Sequence, residues 1–242
     1  MISYSLISDK GNRKINEDSV SVSQNGGNYC FTLCDGLGGH GNGDVASAEV
    51  TGIFSELFKN NNYSAEEFFA QAYSEANNKV LELQKENGSA NGMKTTVVSL
   101  IISNGECRWS HLGDSRLYCF GKRSIKARTY DHSVPQMLVV SKEIKEREIR
   151  FHPDRNKILR AIGADEEMPK YQLSDSVKIE DCEAFLLCSD GFWELISERR
   201  MCSLLRRSKT VKEWLDGMQK AVIKKGKNIN MDNYSAIAVI IG

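Results

Sequence analysis

The chain has 242 residues with 32 basic and 32 acidic side chains, so its formal net charge is zero. That balance gives no global attraction to nucleic acid or to an anionic membrane. Hydrophobic residues at 40% and charged residues at 26% exclude a disordered or collagen-like chain, and a chain this long folds without a disulfide or metal staple.

Taken in order, the first ten residues carry neither a basic n-region nor an apolar stretch long enough for a signal peptide. No uncharged apolar run elsewhere approaches the ~18 residues of a membrane span. The expectation is a cytoplasmic protein, and no surplus apolar stripe calls for a dimer, so a monomer is expected. Residues 2–8 and 18–24 alternate as strands, and Asn28 to Cys34 is a compact apolar strand. Asp44 to Phe58 has a helical period, with Ala46, Val50, Ile53 and Leu57 on one face. Ser64 to Lys85 predicts a second helix, opened by a capping box of Ser64 and Glu67. Its stripe is Phe68, Ala72, Ala76, Val80 and Leu83.

Strands follow. Thr95 to Ile102 is apolar on both faces, which predicts a buried central strand. Glu106 to Leu112 and Arg116 to Phe120 flank the turn Gly113-Asp114-Ser115. A mixed region, 121–170, holds all three prolines, and Ala184 to Cys188 is another buried strand. Helices are expected at about 192–206 and 210–225, then a final strand from Ser235 to Ile241. Strands in blocks and helices in pairs argue for antiparallel sheets with helices outside, an α+β arrangement. The seven cysteines are odd in number, lack C-x-x-C spacing and mostly lie in apolar runs. They predict reduced core thiols rather than a disulfide framework or a zinc site.

The acids fall in a pattern. Glu17 and Asp18 open a strand, Asp35 ends one before Gly36, and Asp114 lies between two. Asp190 follows a strand and precedes Gly191, and Asp232 precedes Asn233 and the last strand. Singly, each is most simply an Asx turn or a helix cap. Together, carboxylates gathered at one end of a sheet repel one another unless a cation compensates. Oxygen ligands without His or Cys select magnesium or manganese over zinc.

Gly36-x-Gly38-x-x-Gly41 matches a dinucleotide fingerprint, which would make the chain a nucleotide-binding oxidoreductase. A second helix follows instead of a returning strand, and the acid ~20 residues on, Glu56, is mid-helix rather than at a strand end. No P-loop and no cysteine-phosphatase C-x5-R loop is present.

Eight short motifs then stand in order: Arg13-Lys14-Ile15-Asn16-Glu17-Asp18, Asp35-Gly36-Leu37-Gly38-Gly39-His40, Lys94-Thr95-Thr96, Gly113-Asp114-Ser115-Arg116, Asp131-His132-Ser133, Arg160-Ala161-Ile162-Gly163, Ser189-Asp190-Gly191-Phe192-Trp193 and Asp232-Asn233. In that order the chain resembles the metal-dependent protein phosphatases of the protein phosphatase 2C type, in their compact bacterial-like form, from residue 5 to 241. The resemblance implies a single catalytic domain over 1–242, with a flap segment at about 133–160. It implies a four-layer αββα sandwich, with two antiparallel sheets face to face and a helix pair on each outer side. It further implies hydrolysis of phosphoserine and phosphothreonine in signalling phosphoproteins by a metal-activated water.

By resemblance, Asp35 bridges two magnesium or manganese ions, the Gly36 carbonyl completes one, and Asp190 and Asp232 hold the other. Glu17 and Asp18 act through metal-bound waters, and Asp114 with Asp190 holds a third, weaker ion. Two ions ~3.5–4 Å apart lower the pKa of a bridging water and offset phosphoryl charge. Arg13 is placed to fork onto the phosphate.

Many eukaryotic members have a His where this chain has Leu37, which has no proton to give. A metal-bound water, or His40, is left to protonate the leaving oxygen. His111 and His132 read as structural. The flap carries mixed charge, which predicts a solvated, mobile segment. The run from Arg199 to Lys227, with ten Lys or Arg against two acids, reads as a solvated helix face. The competing reading of the whole chain is a catalytically silent pseudophosphatase that binds a phosphoprotein or partner. Such relatives usually lose metal aspartates, whereas Asp35, Asp190 and Asp232 are present.

Overall fold

A computed structural model describes residues 1–37, 42–60, 63–88, 92–122, 124–164 and 168–242. Strands β1 (Ile2–Asp9), β2 (Asp18–Asn25) and β3 (Asn28–Leu37) come first. Helices α1 (Gly43–Asn60) and α2 (Ala65–Glu86) follow with no strand between them. Then come β4 (Lys94–Thr95), β5 (Val97–Ser103), β6 (Glu106–Leu112), β7 (Arg116–Phe120) and β8 (Ile125–Arg128). The segment expected as a flap holds α3 (Val134–Val140) and a 3-10 turn, Glu146–Phe151. Strands β9 (Gln172–Leu173), β10 (Val177–Lys178) and β11 (Ala184–Cys188) lead to α4 (Asp190–Trp193), α5 (Glu198–Leu205), α6 (Val211–Gly226) and β12 (Tyr234–Ile241).

The strands form two sheets, ordered β1-β12-β11-β7-β8 and β10-β6-β5-β3-β2, with β4 on β3 and β9 on β6. All the strand pairings described are antiparallel. Successive side chains of a strand point to opposite faces, and the core divides accordingly. On β5, Val97 and Ile101 pack with α1 and α2, while Val98, Leu100 and Ile102 pack against the other sheet. On β11, Phe185 and Leu187 face that same inter-sheet core, while Ala184, Leu186 and Cys188 face α4 to α6. Three apolar layers between four structural layers give the expected αββα sandwich. Because both faces of β5 and β11 are covered, neither strand shows polar alternation.

Ser64 caps α2 with Glu67 in the predicted capping box. The cysteines are free thiols; six are buried and Cys202 is half-buried.

Three boundaries differ from the sequence expectation. Strand β3 does not stop at Cys34 or Asp35; it runs on to Leu37 because Gly36 and Leu37 pair with Thr95 and Lys94. The strand expected over Thr95 to Ile102 is split at Thr96, whose N–H turns aside to Asp35 O at 2.9 Å. The helix expected over 192–206 is two: α4 ends at Trp193 and Ser197 caps α5 by accepting from Arg200 N–H.

Candidate active site

The sandwich brings the acids to one end. Asp18 opens β2 and is the direct cross-strand partner of Asp35 on β3. Asp114 sits where the chain leaves β6 in one sheet for β7 in the other. Asp190 follows β11 by two residues and Asp232 precedes β12 by two. Cys188 pairs with both Arg116 and Ala236, so these ends coincide.

Small hydroxyl groups and backbone hold each acid. Asp35 N–H donates to Thr96 Oγ1 at 3.1 Å, and Asp35 O accepts from Thr95 Oγ1 at 2.9 Å. Asp18 Oδ2 accepts from Ser189 Oγ at 2.8 Å, and Ser189 Oγ accepts from Ser235 N–H at 2.9 Å. Asp232 Oδ2 accepts from Arg13 Nη2 at 2.7 Å, at the exposed margin. Asn233 Oδ1 accepts from Glu17 N–H at 2.8 Å, while its Nδ2 donates to Lys10 O and Ile15 O, both at 3.0 Å. Asn233 therefore lashes the loop carrying Arg13 and Glu17 to the start of β12. The Glu17 carboxylate accepts from Gly43 N–H, at the first turn of α1, where a helix favours negative charge.

The Asp114 turn is gripped from both sides. Trp193 Nε1 donates to Asp114 O at 3.1 Å. Gly113 N–H donates to His132 Nδ1 at 3.1 Å, and His132 stacks on His111 at 4.7 Å. Arg116 is 2% exposed, forks onto Asp131 at 2.7 and 2.6 Å, and lies 3.3 Å from the Trp193 ring. Both histidines are thus framework, as their sequence context predicts. Burial and the neighbouring His111 push the His132 pKa down to about 3.

Two glycines allow the elements to close on each other. A Cβ on Gly36 would stand 2.2 Å from Gly43 O, and one on Gly191 would stand 2.1 Å from Asn233 O. No side chain fits either contact.

The electrostatics are strained. Burial, with Asp190 and Asp232 nearby, pushes Asp18 up to about 7. Burial and Asp232 push Asp190 up to about 6. Burial raises Asp35 and Asp114 well above the usual carboxylate range, with Asp18 and Asp190 respectively as the largest like charge. Burial raises Glu17, and Asp44 adds to it. Asp18 Oδ1 and Asp114 Oδ1 are buried and have no hydrogen-bond partner among the described residues. The Asp35 and Asp190 carboxyls share a hydrogen bond. Among the described residues, no three His, Cys, Asp or Glu side chains stand as a ready-made ion cage. The donor set nonetheless fits a hard divalent cation. It is all oxygen, it is mutually repelling, and it leaves two buried carboxylate oxygens that no described residue satisfies.

The carboxylates named from the sequence therefore converge, with Arg13 beside them on Asp232. Thr96, Ser189 and Arg116 stand in the motifs read from the sequence but carried no assigned role there, and Ser235 lies outside those motifs; Thr96, Ser189 and Ser235 support the acids, and Arg116 holds Asp131. His40 and the glycines at 38, 39 and 41 lie outside the described residues.

The protein phosphatase 2C family model matches residues 8–231. The chain is 30% identical over 215 residues to the serine/threonine phosphatase Stp of Listeria monocytogenes, covering 86% of this chain and 84% of that protein. The crystal structure of the serine/threonine phosphatase Stp1 from Staphylococcus aureus superposes with a TM-score of 0.91 at 28% identity, over 100% of this chain and 96% of that one. The same fold, at 24% identity and a TM-score of 0.83, occurs in the catalytic domain of the phosphatase PstP, solved with two manganese ions and covering 99% of this chain and 97% of that one. The order of its motifs, the sandwich and the matched family model together place this chain in the protein phosphatase 2C family.

Proposed function

We propose that the protein is a metal-dependent protein-serine/threonine phosphatase whose catalytic centre is the carboxylate cluster at the sandwich end. The observation that carries this is the pair of buried oxygens, Asp18 Oδ1 and Asp114 Oδ1, without a partner among the described residues, inside a group of five mutually repelling acids. Asp35, Asp190 and Asp232, with the Gly36 carbonyl, would hold two magnesium or manganese ions, and Asp114 with Asp190 a third. When bound, such ions activate water toward a phosphate monoester and offset charge on its oxygens.

The chain's own residues do the rest. Arg13 is half-exposed, and its Nη1 and Nε make no salt bridge with the described residues. Its guanidinium can therefore receive phosphoryl oxygens while Asp232 orients it. Ser189 keeps one oxygen of Asp18 occupied, and Oδ1 has no partner among the described residues. Glu17 and Asp18 orient water on the ion side. Leu37 offers no proton, so the leaving oxygen takes its proton from solvent-derived water or from His40. The matching chemistry of the relatives supports phosphoserine and phosphothreonine in proteins as the substrate. Residues 1–242 act as one catalytic domain with 133–160 as its flap, in a cytoplasmic monomer. No helix among the described residues is long and apolar enough to cross a membrane.

The test is hydrolysis of para-nitrophenyl phosphate and a phosphothreonine peptide with manganese, with magnesium and with excess chelator. Release of phosphate that chelator abolishes is expected. Turnover unaffected by chelator, or none with either ion, would contradict the proposal.

A further inference from the structure

Beyond the carboxylate centre, a groove of 910 Å³ lies between the 3-10 turn of the flap, the loop after α4, and helices α5 and α6. Its floor is apolar, with Phe151, Leu195, Leu204 and Ala221 among its lining. Phe151 is 77% exposed, a large aromatic left facing solvent. Around the floor stand Arg200, Lys220, Lys224 and Lys225. All four are exposed and, among the described residues, none pairs with a carboxylate. Arg150, also in the lining, is already engaged by Glu198. The single acid in the lining, Glu194, is held by Arg155 at 3.1 Å.

Glu194 also ties the groove to the carboxylate cluster. Its N–H donates to Asp190 O at 3.0 Å, so a residue of the lining stands one helical turn, about 5 Å, from a member of that cluster. An extended peptide covers that distance in roughly two residues.

The protein has no net charge, so four unpaired cations around one apolar groove are a local feature. Lys224 and Lys225 fall in the last turn of α6, where they complement the helix dipole. That role explains neither Lys220 nor Arg200, which lie outside that turn, nor the exposure of Phe151. The basic run expected as a solvated helix face is exposed at Arg200, Lys220, Lys224 and Lys225, and these four also line the groove.

We propose that this groove docks an acidic segment of the phosphoprotein substrate, beginning roughly two to four residues from the phosphorylated side chain. This rests on the reading of the chain as a phosphoprotein phosphatase. Apolar side chains of that segment lie on Phe151 and Leu195, and its carboxylates meet Arg200, Lys220, Lys224 and Lys225. Rim charges of this kind act on encounter and binding and weaken with salt. They lower KM for acidic substrates and leave kcat alone.

The experiment compares phosphothreonine peptides of one core sequence carrying glutamate, alanine or lysine flanks, on either side, with para-nitrophenyl phosphate alongside. The intact chain is used with manganese. The glutamate flank is expected to lower KM by roughly fivefold to tenfold at low salt, with the advantage shrinking in high salt. The double variant Lys224→Glu/Lys225→Glu removes that advantage and leaves para-nitrophenyl phosphate turnover unchanged, which also reports that the variant is folded. A double variant on the α1–α2 side, Lys59→Glu/Lys85→Glu, makes the same change in net charge and keeps the advantage. Hydrolysis of every peptide with no flank preference overturns the docking surface while the phosphatase reading stands. Equal loss in both double variants overturns it in favour of a general charge effect. Absence of hydrolysis of any substrate overturns both readings.

Discussion

Two side chains separate holding an ion from holding a ligand in place. Ser189 is fully buried and spans Asp18 Oδ2 and Ser235 N–H. Replacing it, Ser189→Ala, leaves that oxygen without its donor and is expected to cut metal affinity or activity roughly 10–100-fold, as outer-shell losses do. Turnover at the wild-type level across a manganese titration would contradict that role. Asp114 stands apart from the others in the crossover turn, and Asp114→Ala is expected to weaken activation at low metal while sparing the tighter ions. Loss of all bound manganese in equilibrium dialysis would make Asp114 a core ligand instead. The acids themselves were legible because Asp beside Gly at strand ends is unusual in repetition. The roles of their supports were not. Thr96 and Ser189 stood in the motifs with no role assigned, and Ser235 lay outside them; each is a small hydroxyl beside or within an apolar strand, where it looks like an ordinary turn or strand residue.

At the scale of elements, the centre depends on close approach between segments far apart in sequence. Helix α4 meets the start of β12 at Gly191, with only 2.1 Å for a Cβ against Asn233 O. Gly191→Ala must push Asp190 away from Asp232, at a cost of about 1–3 kcal/mol. The expected result is a lower thermal midpoint together with a raised metal requirement; unchanged values for both would contradict it. The crossover from β6 to β7 depends on the buried Arg116–Asp131 pair. Arg116→Met strands the Asp131 charge and is expected to cost about 3–5 kcal/mol, read in a urea titration.

The periodicity of α1, α2 and α6 and the apolar runs of β5 and β11 placed those elements well. Their boundaries failed where side chains intervene. Thr96 diverts its N–H to Asp35 and splits one strand. Ser197 restarts a helix through its cap, inside the stretch expected as one helix at about 192–206. The motif at Arg160–Gly163 also acquired a physical role: buried Asn77 and Gln84 of α2 hydrogen-bond Gly163, fixing that loop on α2.

For the whole molecule, the carboxylate cluster sets an opposition between stability and pH. Asp18 and Asp190, raised from 3.8 to about 7 and about 6, keep protons in the folded state that the unfolded chain releases. Stability of the ion-free protein therefore falls as pH rises from about 4 to about 7. His132, lowered from 6.5 to about 3, works in the other direction. The unfolded chain takes up a proton below about 6.5 that the folded state refuses, so stability also falls as pH drops from there. A divalent ion relieves only the first effect. The thermal midpoint is expected to rise more on adding manganese at pH 8 than at pH 5.5, measured by circular dichroism against chelator; equal rises would contradict this.

The central claim is that the carboxylates at the sandwich end hold the ions that hydrolysis requires. Asp190→Asn tests it most directly, because it removes a ligand charge and keeps nearly the same shape. The measurement is calorimetric titration of manganese into wild type and variant, paired with phosphopeptide turnover on the same samples. The account predicts that the variant loses at least one of the tight ions, and that its turnover falls by more than the roughly 100-fold an outer-shell change reaches. A variant that binds manganese as the wild type does and turns over at a similar rate would contradict it.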